Sequence, residues 1–315
     1  MMNWQMMNRR HALSLGATLA TGLVTMQRLT AGSSKKSKDA DDSVTFSEIE
    51  NIIQAQGSYS NGVYSIEIDR EDIQDVTLNG VPILPSFQID GSLNFQEISE
   101  SKWMMNSDMA LKASEIDPFI DQLLAHDIVF QAEHQHFYDF EPDVWFIHFR
   151  RYGDPIQTAK GIKAALNVTS TPFPQTMPSN PTTPLPADQM GKIIGAPPNI
   201  GSNGVVTYYV PRREEIILGG VDVNPYLNVE TNIVFEPLNG GSSAAAAPDF
   251  GMIASEVQTV VGIMRRQGWD IGCLYNQETD EKPQLYFSHQ FKTGDPIELA
   301  REIRTALNHM NVKLM

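Results

Sequence analysis

Three of the seven histidines in this chain fall in one stretch, Gln131–Gly153, at His134, His136 and His148. Its flanks, IVFQAEHQHF and VWFIHFR, are rich in β-branched and aromatic residues, and a short turn-like piece with Pro142 lies between them. That pattern predicts a β-hairpin. Side chains alternate along a strand, so His134 and His136 share a face. A hairpin centred near Glu141 sets His134 opposite His148 and His136 opposite Phe146, with all three imidazoles on one side. Three neutral imidazoles converging on a point form the usual first shell of a borderline divalent metal, zinc above all. A slip of one residue would send His148 to the far face. An H-x-H pair by itself is equally at home on a solvated surface; the third histidine in register singles this pair out.

Two further residues have chemistry to offer. Glu115 opens a predicted helix, Glu115–His126, and could complete the metal shell or act as general base; the helix dipole alone would also favour a carboxylate there. Arg150, two residues past His148 and on its face, could clamp a substrate carboxylate, or could be an ordinary solvated arginine. A metal held in this way would polarise a carbonyl or activate water, as in a lyase or hydrolase acting on a small oxygen-rich molecule. The alternative is a binding module that holds metal or ligand without turnover. Cys273, the single cysteine, reads as a small buried apolar residue and excludes an internal disulfide.

The elements that must position these residues occur twice. With a shift of 141 positions, Asp108–Asn167 lies on Asp249–Asn308 without a gap, with 17 identities in 60 positions. They include Ala113-Ser114-Glu115 on Ala254-Ser255-Glu256, Phe146 on Phe287, His148 on His289, and Gly153-Asp154-Pro155-Ile156 on Gly294-Asp295-Pro296-Ile297. Upstream, Arg70 matches Arg212. Each unit is expected to open with a short helix (Phe46–Gln54, Ala187–Ile194). In the first, strands follow at Val63–Asp69, Val76–Ile83 and Leu93–Glu97. Then come the helix capped by Ser114, the hairpin, and a helix Pro155–Leu166 capped by Asp154. This predicts an α+β fold: two tandem homologous units, each a mostly antiparallel sheet with helices packed on one face. The units span 45–167 and 186–315, joined by a proline-rich linker at 168–185. In the second, Tyr275 and Gln277 replace the H-x-H pair and only His289 remains. The expectation is therefore one functional site, in the first unit, and a second unit doing structural work.

Residues 1–44 read as an export signal and spacer. Arg9-Arg10 precedes a mildly apolar run, as in a twin-arginine signal, and the run is too short and too weakly apolar for stable membrane insertion. That places the protein in the periplasm or outside the cell. The formal net charge is −15, which repels nucleic acid and anionic lipid and leaves a small-molecule ligand or substrate as the expected partner.

The segments NGVYSIEIDREDIQDVTLNGVPI, SEIDPFIDQLLAHDI, EHQHFYDFEPDVWFIHF and GDPIQTAKGIKAALN together resemble the LppY/LpqO family, bacterial proteins with a similar two-copy layout. The resemblance runs from Phe46 onward. It implies a helix motif at Glu115 and a hairpin carrying His134, His136, Phe137 and then His148. The second unit departs from it where Tyr-Asn-Gln stands for the histidine pair, and so does Phe149-Arg150-Arg151 after His148. A looser similarity, of spacing alone, links the H-x-H pair and its following histidine to the zinc site of acetolactate decarboxylase.

Overall fold

The computed structural model describes residues 39–315; the twin-arginine-like segment lies outside the described residues. The first copy is built on a six-stranded antiparallel sheet. Its spatial order is Ser58–Ser60, Val63–Asp69, Asp90–Ser99, Lys102–Leu111, Trp145–Gly153 and Val129–His134. The second copy repeats that order with Asn199–Ile200, Val206–Val210, Thr231–Leu238, Ser243–Ile253, Leu285–Gly294 and Asp270–Ile271. The expected α+β units are present.

Strand alternation decides what each face does. On Lys102–Leu111 the odd positions Trp103, Met105, Met109 and Leu111 join a core with the helices Asp39–Ile53, Ile116–Ala125 and Pro155–Leu166, through Ile49, Phe119, Leu123 and Ile162. The even positions turn away: Met104 and Ala110 into two other apolar clusters, Asp108 into a cavity. The second sheet is covered in the same way by Ala187–Ile194, Ala254–Arg266 and Pro296–Leu307. So each sheet carries helices on one face only, and the two bare faces meet. Phe137, Phe140 and Phe146 of the first copy pack with Val234, Ala247 and Phe291 of the second. Val63 and Met104 pack with Leu218, Leu285 and Phe287. The copies thus form one body, helices outside and sheets within, and the polar residues of the inner faces line a buried cleft.

Local signals explain the helix ends. Asp154 and Asp295 sit at N-caps before proline and accept from backbone N–H groups, Gln157 N at 2.8 Å and Ile297 N at 2.9 Å. The helix expected over Glu115–His126 is a 3-10 turn, Ala113–Glu115, followed by Ile116–Ala125. Its cap is not Ser114: the Glu115 carboxylate reaches back to the Lys112 N–H at 2.9 Å. The first helix begins at Asp39, inside the segment read as spacer, and the expected strand Val76–Ile83 is two short pieces, Thr77–Leu78 and Val81–Pro82. The linker is anchored by Gln175, whose Oε1 accepts from Asp69 N at 3.0 Å and whose Nε2 donates to Asp69 O at 2.8 Å.

Candidate metal centre between the two copies

His134 ends the strand Val129–His134, which runs antiparallel to Trp145–Gly153. Expected opposite His148, it instead pairs with Phe146, and Ala132 faces His148. The pairing is displaced by two residues because residues 135–144 form no tight hairpin; Phe140–Glu141 leaves to pair with Thr77–Leu78. An even displacement keeps His134 on the face of His148; His136, expected opposite Phe146 on the same strand, instead lies past the strand end, and its ring reaches the other two from the loop. One ring nitrogen from each of His134, His136 and His148 lies within 4.8 Å of the others. His134 Nε2 is 3.0 Å from His148 Nε2.

Each ring is held. His136 is clamped between the Phe146 ring, at a centroid distance of 3.3 Å, and that of His289, at 3.6 Å. His134 stacks on Tyr275 at 3.6 Å. Its Nδ1 is 3.1 Å from the Gln135 carbonyl; donation there leaves Nε2 with a free lone pair aimed at His148, the arrangement typical of histidine ligands to metals. Burial lowers the pKa of His134 to about 4 and holds His136 and His148 well below the ordinary histidine value, with the neighbouring imidazoles adding to the shift. All three are neutral near pH 7, the form that ligates. Zinc–nitrogen bonds of about 2.0–2.1 Å in a tetrahedron put ligand nitrogens roughly 3.3 Å apart. The His134–His148 separation is close to that edge, and the His136 nitrogen lies within 4.8 Å of both. Both nitrogens of His136 and Nδ1 of His148 are buried without a hydrogen-bond partner, so the donor set is uncommitted to the protein.

Glu115 is elsewhere. One of its oxygens takes Arg70 Nη2 at 2.8 Å and Lys112 N; the other takes Arg70 Nη2 at 3.0 Å and Ser170 N at 3.2 Å. It is a buried ion-pair partner and does not join the histidine group. Glu256 does the same for Arg212, at 2.8 and 3.1 Å. The signal was present in the repeat, which keeps both members of the pair. Arg150 shares the face of His148 but does not line the cavity; its guanidinium lies against Gly219, where a Cβ would come within 3.2 Å of Nη1.

The second copy contributes more than scaffold. His289, the counterpart of His148, faces the same cavity with Nε2 3.7 Å from Asp249 Oδ2. Cys273 is half-buried, its Sγ 3.4 Å from His289 Nδ1, so it is a neighbour of the centre and not a plain core residue. Gly272 is where the backbones close up: a Cβ there would sit 2.2 Å from the His136 carbonyl oxygen. Asp108 and Asp249 pair across their ladders with His148 and His289 respectively, so each copy offers an Asp–His pair to the cleft. Burial pushes the Asp249 carboxyl well above the usual range. Sequence reasoning missed this half of the site; the match of Asp108 and His148 to Asp249 and His289 was its signal.

A family model described as Domain of Unknown Function (DUF1259) matches the chain twice, over residues 47–168 and 188–309. No curated protein sequence matches it. Among solved structures, the chain aligns with EtuB from Clostridium kluyveri at 7% identity and a TM-score of 0.19, covering 80% of this chain and 88% of that one. It also aligns with PduB, a trimeric bacterial microcompartment shell protein, at 11% identity and a TM-score of 0.19, covering 82% and 95%. Among the described residues no helix is long and apolar enough to cross a membrane.

Proposed function

The chain belongs to the family described as Domain of Unknown Function (DUF1259), and from that premise we propose that it is a metal-dependent lyase or hydrolase acting on a small molecule in the cleft between its two copies. The observation that carries this reading is the convergence of three neutral imidazoles, two buried and one half-buried, with two ring nitrogens 3.0 Å apart and neither nitrogen of His136 hydrogen-bonded to the protein. His134, His136 and His148 would hold the ion, and their all-nitrogen set favours zinc. A bound ion would supply Lewis acidity toward a carbonyl or water. The protein's own contributions are separate. Phe146, Tyr275 and His289 fix the ring planes by stacking. The Gln135 carbonyl selects the His134 tautomer. His289 Nε2, beside Asp249, is placed to hold or give up a proton at the cavity wall.

The competing reading, a metal- or ligand-binding module without turnover, differs in whether a coordination position stays open. Cobalt-substituted protein decides between them. An open position predicts that added azide shifts the visible absorption bands; bands indifferent to azide point to a closed shell and a storage role. Export through the twin-arginine-like Arg9-Arg10 belongs to the same proposal. Its support is the motif followed by a weakly apolar run. Replacing both arginines with lysine is expected to trap the precursor inside the cell, and normal export would refute it.

A further inference from the structure

Three adjoining cavities run between the two sheets. The innermost borders His136, His148 and His289, and Glu67 and Tyr209 are common to the walls of all three. Those walls carry six carboxylates, Glu67, Asp69, Asp90, Asp108, Glu230 and Asp249, and not one lysine or arginine. Among the described residues no cationic side chain pairs with Glu67, Asp69, Asp90 or Glu230. Uncompensated carboxylates packed this closely repel one another. Burial and the nearby Glu278 carboxylate lift Glu230 to about 7, and burial with Glu67, Asp69 and Asp108 lifts Asp90 further. Glu67 is exposed at the cleft, so burial, which leads the upward push on its carboxyl ahead of the Asp108 charge, counts for less there than at Glu230.

A second observation points to what relieves this. Gln88, only 7% exposed, lines the innermost cavity with its Oε1 unpartnered, and the Asn232 Oδ1 on the facing wall is likewise without a donor. Acceptors outnumber donors on these walls: six carboxylates, the Gln88 Oε1 and the Asn232 Oδ1 stand against one unpartnered amide donor, Asn228 Nδ2. A compact metal ion is not what it fits: among the described residues, only the histidine trio brings three ligand atoms within 4.8 Å. Spread acceptors suit an organic cation with several N–H donors. A carboxylate-bearing ligand meets only repulsion, and Arg150, the one side chain expected to receive it, stands outside the cavity walls.

We propose that the cleft takes an amine-bearing molecule, its ammonium group held among Glu67, Asp90 and Glu230, with the Gln88 Oε1 as a further acceptor. This deepens the small-molecule reading above, and rests on it only in placing the ligand's other end at the histidines.

The test is calorimetric titration of the full chain at pH 8 and low salt with putrescine, with butanediol and succinate as neutral and anionic analogues of the same length. Magnesium and calcium chloride are titrated alone. Putrescine is expected to bind, to weaken with added sodium chloride, and to lose at least tenfold in affinity in the double variant Glu67→Gln, Glu230→Gln. These changes keep side-chain size, remove repulsion and leave an amide oxygen for the Val229 N–H, and a thermal melt checks that the variant is folded. Butanediol binding as tightly as putrescine, binding of succinate, binding of magnesium or calcium alone, or no putrescine binding would each overturn the proposal. In His136→Ala, putrescine affinity is expected to stay within about threefold while bound metal is lost. Metal absent from the wild type, with putrescine binding intact, would sink the metal reading and leave this one standing.

Discussion

The two copies share a framework and divide the chemistry. At matched positions both keep an arginine–glutamate pair, Arg70–Glu115 and Arg212–Glu256, and both keep an Asp–His pair facing the cleft. They differ at the histidine pair: His134 and His136 in the first copy stand where the second has Tyr275 and Gln277. Those replacements are not inert. Tyr275 is the plate on which His134 stacks, and the retained His289, counterpart of His148, is the plate for His136. The second copy lacks the histidine pair, and its rings stack on that of the first. The two copies together line one cleft instead of each presenting its own histidine trio.

The shared framework gives the largest expected effects. Arg70 is fully buried, and removing it strands the Glu115 carboxylate, while Asp72 keeps its ion pair with Lys112; Arg70→Ala is expected to cost about 3–5 kcal/mol in a denaturant titration. Arg212→Ala should cost a similar amount, since Glu256 is stranded in the same way. A large cost in only one copy would break the equivalence drawn here.

Next is pH, where the two halves of the site pull in opposite directions. Glu230 and Glu278 are held to about 7 against 4.5. Between those values the folded state keeps protons that the unfolded chain gives up, so stability falls as pH rises from about 5 to 8. His134 is lowered to about 4 from 6.5. Between those values the unfolded chain takes up protons that the folded state refuses, so stability falls as pH drops from about 6.5 to 4. The two windows overlap from about 4.5 to 6.5, where two carboxyls outweigh one imidazole, so the metal-free protein should melt highest near pH 5 and lose on the order of 3 kcal/mol by pH 8, as thermal melts across the range would show. A melting temperature rising steadily to pH 8 would mean that the carboxylates are already paired.

A smaller effect probes the seam between the copies. Gly272→Ala drives a methyl group against the His136 carbonyl and the Phe137 ring. It should cost about 1–3 kcal/mol and loosen metal binding as well, because the seam and the ligand loop are one contact. Loss of stability with unchanged metal affinity would separate the two. Smallest are the caps: Asp154→Ala and Asp295→Ala should each cost about 1 kcal/mol, with no change in metal content.

What the sequence made legible follows the range of the interactions. The helices Ala187–Ile194 and Pro155–Leu166 were readable to the residue, because caps and 3.6-residue spacing are local. The strand Lys102–Leu111 was not recognised. Its methionines are buried on both faces of the sheet, so it lacks the alternation that marks a half-exposed strand. The facing of His134 and His148 was legible because period two survived an even error in register; His136 joins them from the loop past the strand end, which no alternation encodes. Glu115 was misplaced because a first-turn carboxylate looks the same in sequence whether it binds metal or a buried arginine; Arg70 is 45 positions away. The contribution of His289, Tyr275 and Asp249 depends on how two sheets dock, which no periodicity within a strand encodes.

The central claim is that the ion is bound by histidines of the first copy, in a seat shaped by the second. Elemental analysis of purified wild-type, His136→Ala and His289→Ala proteins tests it most directly. The account predicts about one first-row metal per chain in the wild type, essentially none in His136→Ala, and retention in His289→Ala, whose ring stacks but does not ligate. No metal in the wild type, or equal loss from both variants, would contradict it.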